Sequence, residues 1–121
     1  MIKQYYRIFD EKHDVPHTLF HGVNGSRKLP LNEWITAKIK PVREARGKIY
    51  KSGFHVLKTK AEAVEFLATR FKNTDHRVIS PIFVDESAGI WKKHHSRANV
   101  FLVKKILISK KQWKKREHLQ D

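Results

Sequence analysis

The chain has 121 residues and a formal net charge of +14, with 26 Lys or Arg against 12 Asp or Glu, 40% apolar residues and no cysteine. This is one domain's length, enough to bury a modest core. The missing cysteines exclude disulfides, thiolate metal sites and a cysteine nucleophile. No apolar run approaches the roughly 18 residues of a membrane span, and MIKQYYRIFD has neither the long apolar run nor the small-residue cleavage site of a secretory leader, so a cytoplasmic protein is expected.

In chain order, Gln4 to Phe9 reads as a first strand ending in the charged turn Asp10–Asp14, and His17 to His21 as a short second strand after Pro16. Residues 22–28 form a loop around an Asn-Gly pair. Leu31, Trp34 and Ile35 fit a helical turn, but the alternation from Ile35 favours a strand. Ile49 to Leu57 is a strand interrupted at Gly53, where a bulge or a close backbone approach is expected. The main helix covers 59–72: Thr59 and Glu62 form a capping box, and Val64, Leu67, Ala68 and Phe71 form the buried stripe.

Arg77 to Val84 is a strand broken or placed at an edge by Pro81, followed by a loop from Asp85 to Lys93. Val100 to Ile108 is the most apolar strand, with Val100, Leu102, Ile106 and Ile108 on one face and Phe101, Val103 and Leu107 on the other. Ser109 onward is a short basic helix or tail. The expectation is a single α+β domain, 1–108, with a mostly antiparallel sheet of about six strands, one main helix, and a basic C-terminal segment, 109–121.

Charge is concentrated late. Ser87 to Arg116 contains no carboxylate and supplies +10 of the +14. A stretch this basic points to DNA or RNA, or to an acidic or nucleoprotein partner; its only amphipathic candidate, from Ser109 to Leu119, has too thin an apolar face for a membrane surface. The expected contacts are Lys92, Lys93, His95, Arg97, Lys104, Lys105, Lys110, Lys111, Lys114, Lys115 and Arg116, with Trp113 stacking on an unpaired base. Trp91 is as well read as an anchor to the core. No nucleic-acid motif accompanies these residues, so phosphate contact with little base discrimination is expected.

The eight histidines do not make a metal site: on a strand, His17 and His21 stand roughly 13 Å apart. His94-His95-Ser96-Arg97 could handle an anion or a proton, but a solvated basic loop is the favoured reading, because no carboxylate or second base is fixed nearby in the sequence. Asp85-Glu86 is a weak acidic pair. No metal and no cofactor is expected on this reading.

Two fragments carry a resemblance. Leu19-Phe20-His21-Gly22 resembles the first-strand signature of ADP-ribosyltransferases of the poly(ADP-ribose) polymerase type, and Gly53-Phe54-His55-Val56 with the following helix resembles their second. The resemblance implies that His21 and Gly22 hold the ribose of NAD, and that Gly53 and His55 lie at the nicotinamide-stacking position. His55 stands where that family has tyrosine, Val23 where it has Ser or Thr, and Asn99 or Val100 where it has the catalytic glutamate. His21, His55 and Asn99 are therefore the catalytic candidates of an NAD-binding alternative without polymerase activity. The pattern LFHG…LP…W…SGFHV…HSR also resembles small phage- or prophage-encoded proteins, implying an accessory or host-interaction role. An inhibitor or adaptor docking on an acidic protein is the third reading, and a non-enzymatic role is favoured.

Overall fold

The computed structural model describes residues 1–18, 27–37, 41–43, 49–51, 53–70, 76–93 and 99–118. In chain order the elements are β1 (Ile2–Lys12), β2 (Val15–His17), β3 (Trp34–Thr36), β4 (Pro41–Arg43), β5 (Ile49–Lys51), β6 (Phe54–Leu57), α1 (Lys60–Arg70), β7 (Arg77–Asp85), β8 (Ile90–Lys92), β9 (Val100–Val103), β10 (Lys105–Leu107), α2 (Lys110–Trp113) and β11 (Glu117–His118). The strands pair antiparallel into a nine-stranded sheet and a separate β4–β5 pair, more strands than the six expected.

β1 starts two residues before the strand read from the sequence and runs three residues past it. His13 and Asp14 both take left-handed φ (53° and 62°) and form a two-residue turn, so that Lys12 faces Val15 directly. Turns of this kind match the twist of the strands they join, and Asp tolerates the conformation.

The sheet order, β3-β10-β7-β1-β6-β9-β8, closes on itself, because β9 and β10 are halves of one run of chain parted only by Lys104. The result is barrel-like. Odd residues of β1 (Tyr5, Phe9) point inward with Val56, Val78, Ile82, Val84, Val103, Ile106, Ile108 and Trp113. Even residues point outward, where Ile8, Leu57, Ile79 and Val100 are covered by Ala63 and Leu67 of α1.

The break at Lys104 explains one misreading. Val103 and Ile106 both face inward, so the alternation slips by one residue, and Val103 does not share a face with Leu107. Opposite the break, the expected Asp85–Lys93 loop is only a single 3-10 turn, Glu86–Ala88, before β8; Gly89, at φ 135°, accepts a hydrogen bond from the Lys104 amide (3.2 Å).

Pro81 does not put β7 at an edge. One side of β7 pairs with β1 from end to end, and the other pairs with β10 at Val84 and Phe83 and with β11 at Ile79 and Val78. Pro81 falls in the gap between those two partners, where its missing N–H leaves no ladder bond unmade. α2 fills the gap, capped by Ser109, whose hydroxyl accepts from the Gln112 amide (3.0 Å). Residues 109–118 thus belong to the fold rather than trailing from it.

α1 begins at its threonine cap, with Thr59 Oγ1 accepting from the Glu62 amide (3.1 Å) and donating to Glu62 Oε1 (2.9 Å). Its buried face is Ala63 and Leu67, flanked by Val64 and Phe66; Ala68, expected inside, is exposed. The contact stripe is centred on Ala63 and Leu67, one position before the expected Val64 and Ala68. Phe71 lies outside the described residues.

Candidate nucleic-acid interface

Beyond the end of α1, the outer face of the sheet is open. Gln4, Tyr6, Ile79, Pro81 and Phe83 of the sheet line a groove of about 660 Å³ together with Ser109, Lys111, Gln112 and Lys115 of the α2 segment, Lys60 and Glu117. Register continues the floor sideways: Gln4 faces Phe83, Phe83 faces Leu107, and Leu107 faces Trp34, a cross-strand row on β1, β7, β10 and β3. Residues directly opposite in antiparallel strands share a face. Trp34 and Phe83 are among the exposed large apolar side chains, at 39% and 36%.

The late cations do not form one uniform sheet of charge. Lys111 and Lys115 line the groove, and Lys105, opposite Thr36 at the next register step, borders the row close to Asp85. Lys110 and Lys114 are exposed on α2 and just after it; the Lys110 amide donates to Asn32 Oδ1 (2.8 Å), which ties α2 to the segment before β3. Lys104 is half-buried at the strand break. Lys92, opposite Phe101, is exposed on β8, which lines none of the groove. His95 and Arg97 lie outside the described residues.

Three expected contacts are occupied by the fold: Lys93, which donates to His55 (3.2 Å), Arg116 and Trp113. Arg116 pairs with Glu11 and with Asp14 (3.3 Å), and its guanidinium lies 4.7 Å from the centroid of the Trp113 ring. Trp113 is 3% exposed, packs edge-on against Phe9 (centroids 5.8 Å apart) and donates its indole N–H to the Asp14 carbonyl (2.8 Å). It is an anchor, not a platform for a base. Trp91 also lies over backbone: its ring atoms are 3.4 Å from where a Cβ on Gly53 would sit and 3.3 Å from one on Gly89.

Asp85 and Glu86 are likewise engaged. Asp85 Oδ1 accepts from the Ser87 amide (3.1 Å) and hydroxyl (2.5 Å), and Glu86 accepts from the Tyr5 hydroxyl (2.7 Å) and lies 3.6 Å from Lys3. Ser87 bonding holds the Asp85 carboxyl below the ordinary carboxylate range, and the Tyr5 bond does the same for Glu86. Sequence reasoning missed Lys60, Tyr6, Phe83 and Trp34. Their only signal was position: Lys60 opens the helix, and the aromatics sit on strand faces whose neighbours come from distant segments.

His55 is the described member of the NAD alternative's site, with Gly53; His21 and Gly22 lie outside the described residues. A Cβ on Gly53 would come within 3.0 Å of the Val103 carbonyl, so close strand packing accounts for this glycine. Asn99 is exposed just before β9, while Val100 is buried beneath α1. The His55 ring accepts from Lys93 Nζ (3.2 Å) and donates to the Gly53 backbone. Burial, then the nearby Lys93 and Arg7 charges, push its pKa down to about 3.

Arg7 donates to the His55 carbonyl (2.8 Å) and lies between the Phe9 and Phe54 rings. Burial lowers its pKa to about 10, and its Nε has no hydrogen-bond partner among the described residues. Among the described residues, no group of three His, Asp or Glu side chains could hold a metal ion, and no helix is long and apolar enough to cross a membrane.

The low His55 pKa has a consequence for stability. Below pH 6.5 the unfolded chain takes up a proton at this histidine, while the folded protein stays neutral there down to about pH 3. Stability from this group is therefore complete above pH 6.5 and drains as pH falls through that window, by about 2 kcal/mol at pH 5. Urea unfolding of wild type and His55→Gln at pH 7 and pH 5 checks this: the wild type loses that much more than the variant, and equal losses contradict it.

No protein-family model, curated protein or solved structure matches this chain.

Proposed function

We propose that the protein is a non-enzymatic nucleic-acid binder that holds the phosphate backbone through the lysines bordering the outer groove, with little discrimination between bases. The observation that carries this reading is the juxtaposition at the groove: Lys60, Lys111 and Lys115 surround an apolar floor, and Lys105 continues the border along the exposed row. Among the described residues, Glu117 lies 2.5 Å from Lys60, and Asp85, beside Lys105, is held by Ser87. The remaining exposed lysines and the +14 of the whole chain favour any polyanion's approach at long range.

The test is a salt titration of binding to random-sequence DNA and RNA. Each phosphate contact contributes a slope of roughly −0.7 to −0.9 in log affinity against log salt, so four cations give a slope near −3. Binding absent at low salt, or flat with salt, overturns the reading.

A further inference from the structure

We infer that the nucleic acid taken by this groove is single-stranded, its bases lying on the ring row of Tyr6, Phe83 and Trp34 while Lys60, Lys105, Lys111 and Lys115 hold its phosphates. The inference rests on the nucleic-acid reading above and names the form of the ligand.

Three observations carry it. The first is geometry. Tyr6 faces Pro81, so it sits diagonally from Phe83, roughly 7–8 Å away, and Phe83 and Trp34 are separated by one strand, roughly 10 Å. The row from Gln4 to Trp34 spans about 14 Å, room for a short run of bases at 3.4 Å or more apiece. The second is surface chemistry. The barrel interior is filled and α1 covers one end of the outer face, yet the other end leaves two large rings open to solvent beside a groove of about 660 Å³. Rings presented this way can stack on base faces, which a duplex keeps covered and a single strand offers.

The third is charge. The floor is apolar but the border is cationic, so a second copy of the chain laid on this face would bring Lys60, Lys105, Lys111 and Lys115 against their own counterparts. A strand with apolar base faces and an anionic edge complements both parts of the surface at once.

The experiment compares the full chain with Trp34→Ala, Phe83→Ala, Trp34→Phe and Lys111→Glu, measuring anisotropy of a fluorescent, unstructured 12-nucleotide strand and of its 12-base-pair duplex at fixed low salt. The inference expects tighter binding of the single strand, and a loss of roughly 5- to 100-fold for each alanine variant on that strand alone. It expects the salt slope to stay unchanged in those variants, Trp34→Phe to retain most of the affinity, and Lys111→Glu to weaken both forms. Equal binding of both forms, with the alanine variants unaffected, overturns the stacking inference and leaves the phosphate-binding reading standing. Binding of neither form overturns both. Sedimentation of the same samples is included: a dimer dissolved by Trp34→Ala would assign the face to self-association and overturn the inference. Trp34 and Phe83 are 39% and 36% exposed, so the alanine variants are expected to unfold at a modestly lower urea concentration than wild type and to be fully folded in the binding buffer, which urea unfolding of each checks.

Discussion

Trp113→Ala is expected to cost about 3–5 kcal/mol of folding stability, the cost of emptying a large buried aromatic site. The residue closes one end of the barrel interior. Its ring packs edge-on against Phe9, its indole N–H satisfies the Asp14 carbonyl in the β1–β2 turn, and its face carries the Arg116 guanidinium. Removing it leaves a cavity and an unpaired carbonyl, and loosens Arg116 from Glu11 and Asp14. Trp113→Phe keeps most of the volume and loses only the donor, so a smaller loss of about 1–3 kcal/mol is expected. Urea unfolding measures both. A change below about 0.5 kcal/mol for the alanine variant, the usual size for a surface residue, would contradict the anchoring role.

Lys111→Glu combined with Lys115→Glu is expected to reduce affinity for single-stranded nucleic acid on the order of 100-fold at 0.1 M salt. Two phosphate contacts are removed and two repulsions added, and the salt slope becomes shallower by roughly 1.5–2. Both side chains are exposed beside the groove, so folding stability is expected to change by no more than about 0.5 kcal/mol. Lys92→Glu is the control. It reverses the same charge on β8, a strand that lines none of the groove, and is expected to change affinity little. If Lys92→Glu weakened binding as much as the groove pair, the site would belong elsewhere on the basic surface.

The features legible in the sequence were those set by near neighbours. The helix after Thr59 announces itself through its cap, the strand around Tyr5 to Phe9 through aromatic alternation, and the close approach at Gly53 through a glycine inside a strand pattern. The misreadings came from long-range pairing. Trp113 sits among lysines, and only the gap that Pro81 leaves between β10 and β11 explains why α2 turns its tryptophan inward. Pro81 suggests an edge until β7 is seen with β1 on one side and with β10 and β11 on the other. Val103 and Leu107 alternate on paper; the break at Lys104, opposite Gly89, changes the phase.

The candidate site divides in the same way. Its lysines were visible because charge is compositional and needs no fold to be counted. Its rings were not, since Tyr6, Phe83 and Trp34 come from segments up to 77 residues apart and share a face only through register. Arg116 shows the converse error: among the basic residues of the late segment it looks like any other cation, but Glu11 at the end of β1 and Asp14 in the turn after it claim it.

The most direct test of where ligand sits is an amide NMR titration of the labelled full chain with an unstructured oligonucleotide at low salt. The account predicts shifts clustered at Tyr6, Phe83, Leu107 and Trp34 and along Lys111 to Lys115, with β8 and the exposed face of α1 unmoved. Shifts centred on Lys92 and Lys93, or no shifts where binding is saturated, would contradict it.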